Sequence, residues 1–381
     1  MPETTMEYPT LFDLAADLLH FNHAAVAPWP KRTTEAVCRF AHENAHHGSL
    51  NYPSWQAVEQ RLKERLARLI GAADASEIAL TKSTSEGLSL IAYGLDWHPG
   101  DNIVGIAQEF PSNRLVWQSL ATRGVEWRAL DLEHTDDPEA ALLALCDAST
   151  RLMAVSWVQY ARGLRLDLAR LAAGCQQRGV LLIVDAIQGL GAVPFDLATC
   201  PADAVVADGH KWLCGPEGLA LFYCRPALRD QLTLLQYGWH MVEELGDFDR
   251  TTWQPAASAR RFECGSPNML GIHALDASLA LIEEIGMSAI AQALQARVDY
   301  LLSGLDGAGF EVLSPRDPAR RAGIVTFRVP EVAAETLYPA LIKSNLLCAL
   351  RGGGIRFSPH FYTSCEKIDQ AIAMVKQVTK G

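Results

Sequence analysis

The stretch LLIVDAIQGLGAVPFDLATCPADAVVADGHKWLCGPEG, residues 181–218, decides the fold of this chain. It holds two short apolar runs, 181–184 and 204–207, which predict buried strands because they are uninterrupted and partly β-branched. Asp185 directly follows the first run, and Lys211 follows the second. Ligands of an open parallel sheet bind outside the carboxyl ends of the strands. We therefore expect Asp185 and Lys211 to meet in one crevice.

A carboxylate and a lysine in one crevice indicate pyridoxal phosphate. The lysine amine can form a Schiff base with the aldehyde of the cofactor, and the carboxylate can keep the pyridine nitrogen protonated so that the ring accepts electrons. The plainer interpretation is that Asp185 caps a helix and that Lys211 is an exposed turn residue. That interpretation suits either residue alone, whereas the two together favour a cofactor site.

Two motifs of this stretch, VDAIQGLG and DGHKWLCGPEG, closely resemble the cofactor site of the class V aminotransferase and cysteine desulfurase family. The resemblance implies pyridoxal 5'-phosphate as the cofactor, with Lys211 as the Schiff base lysine and Asp185 at the pyridine nitrogen. It also places Gln188 and His210 at the cofactor, with His210 among the catalytic residues. The expected fold is that of the type I pyridoxal phosphate enzymes.

The order of predicted elements agrees with that fold. Strands and helices alternate along the first two thirds of the chain, which predicts an α/β fold with a doubly wound, mostly parallel sheet. With 381 residues the chain suits two domains. We assign residues 21–270 to the large cofactor-binding domain, and residues 271–381 together with residues 1–20 to a smaller α+β domain. The run 219–224 is expected to be antiparallel at the far side of the sheet.

Composition excludes several classes of function. A formal net charge of -11 argues against nucleic acid as a partner, since phosphate binding needs clustered Lys and Arg. No apolar run is long enough to cross a membrane, and the first twenty residues lack the pattern of a secretory signal, so we expect a cytoplasmic protein without a membrane partner. The nine cysteines include no CxxC pair and predict neither a disulfide framework nor a metal site.

A phosphate subsite is expected where Ser83, Thr84 and Ser85 begin a helix, because free backbone N–H groups there attract an anion. The resemblance assigns the cofactor phosphate to Thr84 and Ser85. Asp208 stands where the desulfurases usually carry a serine that touches phosphate. Because a carboxylate repels a phosphate, we expect Asp208 to turn away or to pair with a cation.

A further phosphate contact is implied by the segment RFECGSPN, residues 261–268. It resembles the part of the family's site that the neighbouring subunit supplies, in which Gly is usually followed by Thr. Here Ser266 follows Gly265 and keeps the hydroxyl. The resemblance therefore implies a homodimer with shared active sites.

Four other residues are candidates for the cofactor or the substrate. The family places an aromatic ring over the cofactor, a histidine in the desulfurases, and the matching residue here is Phe110, which can stack but cannot transfer a proton. Gln159 is the candidate for the phenolic oxygen of the cofactor. His23, in the segment FNHAAVAPWP, and Asn51 are expected to contact the substrate.

The end of the chain bears on the chemistry. Arg356 in RGGGIRFSPHF matches the family's arginine that holds the α-carboxylate of the substrate, and Arg351 is the alternative. Desulfurases carry a nucleophilic cysteine on a flexible loop just before this arginine strand. Here Cys348 lies in the apolar run LLCAL, where a thiol is usually buried and inert. Persulfide chemistry of the desulfurase kind is therefore disfavoured.

These residues predict an enzyme that acts at Cα of an amino acid, and a class V aminotransferase suits them best. The alternatives are a carbon–sulfur lyase acting on cysteine conjugates, a desulfurase-like enzyme and an amino acid epimerase, because all begin with removal of the Cα proton by Lys211. A cofactor-binding homologue without activity is disfavoured because Lys211, Asp185 and Arg356 are all present.

Overall fold

The computed structural model describes residues 8–379. Its strands are β1 (Leu19–His20), β2 (Ile78–Thr81), β3 (Asn102–Ile106), β4 (Glu126–Leu130), β5 (Thr150–Ser156), β6 (Leu181–Asp185), β7 (Ala204–Asp208), β8 (Ala220–Cys224), β9 (Glu311–Val312), β10 (Val325–Arg328), β11 (Leu346–Leu347), β12 (Ala349–Arg351) and β13 (Gly354–Phe357). Its α-helices are α1 (Lys31–His47), α2 (Tyr52–Ile70), α3 (Thr84–Gly94), α4 (Ser112–Gln118), α5 (Pro138–Ala144), α6 (Leu168–Arg178), α7 (Pro226–Arg229), α8 (Met269–Ile285), α9 (Met287–Gly307), α10 (Ala334–Lys343) and α11 (Cys365–Val378).

The larger sheet has seven strands in the order β2-β8-β7-β6-β5-β3-β4. All neighbours from β7 to β4 are parallel, and β8 is antiparallel to both of its neighbours. The predicted α/β class and the antiparallel direction of β8 are therefore confirmed. The edge beyond β8 is formed by β2, so β8 lies one strand inside the sheet.

Both faces of this sheet are covered, which explains why its strands have no polar alternation. Ile183 and Val206 pack into the apolar cluster that includes Leu88 and Ile91 of α3. Val184 and Val205 point to the opposite face, into the cluster that also contains side chains of α2, α6 and α8. The two central strands are thus fixed from both sides, and only their carboxyl ends carry polar groups.

A smaller antiparallel sheet, β12-β13-β10-β9, carries Arg356. Gly352 and Gly353, both with positive φ, form the two-residue turn between β12 and β13. The apolar run 346–350 is divided at Cys348 into β11 and β12, because β11 pairs with β1 near the start of the chain and β12 pairs with β13. Sequence reasoning missed α10, in which Pro339 interrupts the helical pattern.

A glycine packed behind the lysine turn provides a test of this packing. Gly191 has a φ of +90°, and a Cβ there would overlap the backbone carbonyl of Trp212. Gly191→Ala should lower the free energy of unfolding by about 3 kcal/mol, since overpacking adds to backbone strain. Urea unfolding measures the loss.

Gly179→Ala is the matched control. Gly179 also has a positive φ, at the C-terminal end of α6, but a Cβ there would meet nothing within 4 Å. It should cost only about 1 kcal/mol. Equal losses in the two variants would show that Gly191 is not packed against the lysine turn as described.

Candidate active site

The carboxyl ends of β6 and β7 bring a lysine and a carboxylate together. The two strands are parallel neighbours, with Asp185 and Val206 as Cα partners. Lys211 follows β7 in a turn, and both Lys211 and Asp185 are buried and interact electrostatically. The Nζ atom of Lys211 lies 5.5 Å from the centre of the Phe110 ring. The geometric expectation from the sequence, one crevice for both charges, agrees with the structure.

Burial changes the acid–base properties of both groups. It raises the pKa of Asp185 to about 6, an effect opposed by the backbone N–H of Ile187, which donates to Oδ1 at 3.0 Å, and by the charge of Lys211. Burial likewise lowers the pKa of Lys211 to about 8, although Asp185 favours the charged form. A larger fraction of the amine is therefore unprotonated near neutral pH than in an exposed lysine.

The amino end of α3 is the expected phosphate subsite, and Asp208 reaches into it. The backbone N–H of Thr84 donates to Oδ2 of Asp208 at 2.9 Å, and the N–H of Asp208 donates to Oγ1 of Thr84 at 3.2 Å. Of the two expectations for Asp208, turning away is wrong, because the carboxylate itself caps the N–H of Thr84, and pairing with a cation stays a prediction. Ser85 donates its hydroxyl to Ser112 at 2.8 Å.

His210 lies between this subsite and Lys211. Its Nδ1 is buried without a hydrogen-bond partner among residues 8–379 and lies 3.8 Å from Oδ1 of Asp208. An unpartnered ring nitrogen beside a helix N-terminus suits an added anionic group. Ser266 is exposed on the loop just before α8, and its expected role in a partner's site stays a prediction.

The buried Gln188 supports the lysine turn. Its Nε2 donates to the carbonyl of Ala24 at 2.9 Å, and its Oε1 accepts from Nε1 of Trp212 at 2.8 Å. The residue therefore ties the turn that carries Lys211 to the segment after β1. Because both ends of its amide already have partners, this arrangement does not favour the direct contact between Gln188 and the cofactor that the resemblance implied.

The side-chain amide of Gln159 is likewise hydrogen-bonded to backbone groups. Its Oε1 accepts from the N–H groups of Ala161 and Arg162 at 2.9 and 2.7 Å, and its Nε2 donates to the carbonyl of Gln108 at 3.0 Å. The side chain thus closes the turn after β5 rather than pointing a free amide at the cofactor. Phe110 is partly exposed, and its ring meets that of Tyr160 edge-on at 5.3 Å.

Arg356 lies buried on β13, with two of its guanidinium nitrogens fixed. Nη1 donates to the carbonyl of Tyr160 at 2.7 Å and Nη2 donates to Oδ1 of Asn22 at 3.3 Å, whereas Nε has no partner among the described residues. Burial lowers the pKa of Arg356 to about 10, and the nearby Arg351 acts in the same direction. The group remains cationic at neutral pH.

The two expected substrate residues occupy other positions. His23 is fully buried, with Nδ1 2.7 Å from the carbonyl of Ser358 and Nε2 2.6 Å from the hydroxyl of Tyr362. Because both ring nitrogens already have partners, this arrangement does not favour a substrate contact, which stays a prediction. Asn51 is exposed before α2 and donates to Glu43 at 2.9 Å, so its amide serves the junction of α1 and α2.

Sequence reasoning missed Glu109, a buried carboxyl group close to Asp185. Glu109 accepts from the backbone N–H of Ser156 at 2.6 Å and from the hydroxyl of Ser156. Burial raises the pKa of Glu109 to about 8, although the bonds from Ser156 oppose the rise. The signal was present, because Glu109 follows β3 just as Asp185 ends β6. Asn22, which holds Arg356, was also missed beside His23.

A family model described as Aminotransferase class-V matches residues 19–370, and the chain belongs to this family. A probable cysteine desulfurase from Pyrococcus abyssi is 30% identical, over 97% of this chain and 96% of its own. The apo structure of a cysteine desulfurase from Thermococcus onnurineus NA1 has 26% identity and a TM-score of 0.85, covering 96% of this chain and 95% of that one. The cystine C-S lyase C-DES, in complex with its product cysteine persulfide, has 25% identity and a TM-score of 0.88, covering 94% and 97%.

The expected family, fold type and cofactor are thereby confirmed. The protein is an enzyme with the type I fold, and its cofactor is pyridoxal phosphate. The residues present fit that group, since a buried amine, a buried carboxylate and an unpartnered His210 nitrogen surround one crevice. Within the described residues, none of the helices has the length and apolar character needed to cross a membrane.

The position of His23 yields a testable prediction. His23→Ala leaves a cavity and two buried polar groups without partners, so the free energy of unfolding should fall by about 3 kcal/mol. Urea unfolding measures this loss, and the KM of the folded variant should stay near that of the parent protein. His98→Ala is the control, since His98 is exposed and should change stability by less than about 0.5 kcal/mol. A raised KM with unchanged stability would restore His23 to the substrate site.

Proposed function

We propose that this protein is a pyridoxal phosphate-dependent carbon–sulfur lyase that removes a thiol from a cysteine-derived amino acid by β-elimination. The observation that carries the proposal is a buried lysine and a buried arginine whose nearest cysteines along the chain are themselves buried. Cys214 and Cys348 are the cysteines nearest in sequence to Lys211 and Arg356. Both are buried, and burial raises the pKa of each thiol to about 12.

The proposal replaces the aminotransferase that the sequence favoured. The relatives described above are named for cysteine desulfuration and for cystine lysis, which supports sulfur chemistry on a cysteine-derived substrate. A desulfurase needs a thiolate that reaches the substrate sulfur. Cys348 is buried between β11 and β12, and only the two glycines of the β12–β13 turn separate β12 from the strand of Arg356. Elimination needs no protein thiol.

Binding and orientation of the substrate fall to Arg356. The guanidinium is held in place by Tyr160 and Asn22, so little side-chain entropy is lost when it grips the α-carboxylate. Its Nε–H has no partner among the residues described and is available to a carboxylate oxygen. The α-carboxylate would fix the substrate with Cα facing the lysine.

Lys211 is the group that moves the proton at Cα. Its amine is buried, and its lowered pKa favours the unprotonated form that can act as a base. Asp185 lies at the end of β6 to keep the pyridine nitrogen protonated. When bound, pyridoxal phosphate supplies an electron-accepting ring for the electrons released at Cα. The overall reaction consumes one water and yields pyruvate, ammonia and the free thiol.

Phe110 limits which thiols can leave. A phenyl ring cannot donate a proton to the departing sulfur, so the proposed reaction favours thiolates that are stable without protonation. Persulfides and aromatic thiols meet this condition better than alkyl thiols.

Two features of the organisation are proposals as well. We propose a large domain formed by residues 21–270 and a small domain formed by residues 271–381 with residues 1–20, of which residues 1–7 and 380–381 lie outside the described part of the chain. The pairing of β1 with β11 supports this division, whereas α8 packs against the large sheet. We also propose a homodimer in which Ser266 enters the partner's site. The loop is tied down at Glu263, which accepts from the ammonium of Lys63 at 2.8 Å and from the N–H of Leu80 at 2.7 Å.

Product analysis tests the proposed function. Incubation of the holoenzyme with cystine or an S-aryl cysteine should release pyruvate and ammonia in equal amounts, without any added keto acid. Lys211→Ala should lower the rate at least about 1000-fold, because the base at Cα is lost, and exposed Lys82→Ala should leave it unchanged. Ammonia-free transfer of the amino group to a keto acid would contradict the lyase.

The same assay separates elimination from desulfurase chemistry. Cys348→Ala should keep the rate of thiol release within about threefold, since a buried thiol takes no part. Loss of activity in this variant, with an unchanged unfolding midpoint, would favour a protein persulfide instead.

A further inference from the structure

A cleft of about 740 Å³ opens beside the proposed active site. One wall is formed by residues after β3 and β5, among them Gln108, Gln159 and Tyr160, and the other by Arg328 and the glycine turn between β12 and β13. This volume lies within the range of about 300 to 1,000 Å³ that is typical of pockets for small molecules. It is several times the volume of a cysteine molecule. Cysteine alone would leave most of this cleft unfilled.

Three guanidinium groups line this cleft, those of Arg114, Arg162 and Arg328, and we call it the arginine cleft. The Nε of Arg114 is buried and has no hydrogen-bond partner within residues 8–379. Arg162 and Arg328 are oriented by the turn, since their Nε atoms donate to the carbonyls of Gly352 at 3.0 Å and Gly353 at 2.7 Å. These backbone carbonyls thus fix the guanidinium groups of Arg162 and Arg328 at the wall of the cleft.

The acids of the cleft do not cancel these charges. Glu133 is exposed and lies 3.3 Å from Nη2 of Arg162, so it offsets one cation. Glu109 is buried, accepts two bonds from Ser156, and is held largely neutral at pH 7 because burial raises its pKa to about 8. A positive excess therefore remains in a protein whose net charge is -11. An anionic ligand is the natural complement.

The arginine cleft adjoins the place proposed for the substrate at Tyr160. Tyr160 lines the cleft, its carbonyl accepts from Arg356, and its ring contacts Phe110, over which the Lys211 amine lies. A substrate whose α-carboxylate is held by Arg356 can therefore extend its side chain past Tyr160 towards Arg114. The cleft begins where the sulfur substituent of a cysteine conjugate would project.

We propose that the arginine cleft binds a carboxylate carried by the sulfur substituent, so that the preferred substrates are dianionic cysteine S-conjugates. This inference rests on the proposed lyase function and specifies its substrate class. A guanidinium can hold a carboxylate through two parallel hydrogen bonds, and Arg114 has the unpartnered Nε–H for one of them. Arg162 and Arg328 add positive charge to the same cleft.

Two matched substrates test the proposal, S-(4-carboxyphenyl)-L-cysteine and its neutral analogue S-(4-carbamoylphenyl)-L-cysteine. The holoenzyme should show a kcat/KM at least about tenfold higher for the carboxylate, mainly through a lower KM, because a charge-assisted bond is lost with the amide. Arg114→Gln and Arg328→Gln should each reduce this preference, and together abolish it, by lowering kcat/KM for the carboxylate substrate more than for the carbamoyl substrate. Arg39→Gln, an exposed arginine of α1, is the control.

Binding of a ligand that cannot react separates this inference from the lyase function. The α-methyl analogues of both conjugates lack the Cα proton, so calorimetry with the holoenzyme reports affinity alone. The carboxylate analogue should bind at least about tenfold more tightly. Arg114→Gln should reduce the difference, and Arg114→Gln combined with Arg328→Gln should abolish it. Equal affinities, or equal kcat/KM for the two substrates, would overturn the arginine cleft while leaving elimination intact. Absence of elimination from any cysteine conjugate would contradict the lyase, and the affinities would still decide the cleft.

Discussion

The structure depends on two opposite charges buried together, those of Asp185 and Lys211. An isolated buried charge costs several kcal/mol, so neither group could stay ionised in this crevice without the other or a bound partner. Their altered pKa values, raised for the acid and lowered for the amine, express that cost. The parallel pairing of β6 and β7 places the carboxyl ends of both strands on the same side of the sheet, where such groups can meet.

A buried network of hydrogen bonds positions the strand of Arg356 relative to Asp185 and Lys211. His360 Nε2 lies 3.1 Å from the carbonyl of Trp212, the residue after Lys211, and His23 joins Ser358 to Tyr362. Burial lowers the pKa of His360 to about 4, so the network stays neutral at physiological pH. Through these contacts the strand that carries Arg356 is fixed relative to the lysine turn. The distance between carboxylate binding and proton transfer is therefore set by core packing rather than by a flexible loop.

The sequence predicted those features that follow from local pattern. Apolar runs located the strands, and the rule that ligands bind at carboxyl strand ends found Asp185 and Lys211. Local pattern did not predict the hydrogen bonds of side chains whose partners come from distant segments. Gln188 bonds to Ala24, 164 residues away, and His23 bonds to Tyr362, 339 residues away. The resemblance to a family supplied residue types at these positions but not the direction of each side chain. Asp208 shows the same limit. The expected repulsion between its carboxylate and a phosphate did not predict its hydrogen bond from the N-terminus of α3.

The most direct test of the account is the pKa of Lys211 in the apoprotein. Only the unprotonated amine attacks the cofactor aldehyde, so the rate of pyridoxal phosphate capture, followed by absorbance, should rise with pH and reach half its maximum near pH 8. Asp185→Asn should move that midpoint to lower pH, because the carboxylate stabilises the ammonium. A midpoint near 10.5, the ordinary value for lysine, unchanged by Asp185→Asn, would contradict the claim that the two groups share one buried crevice.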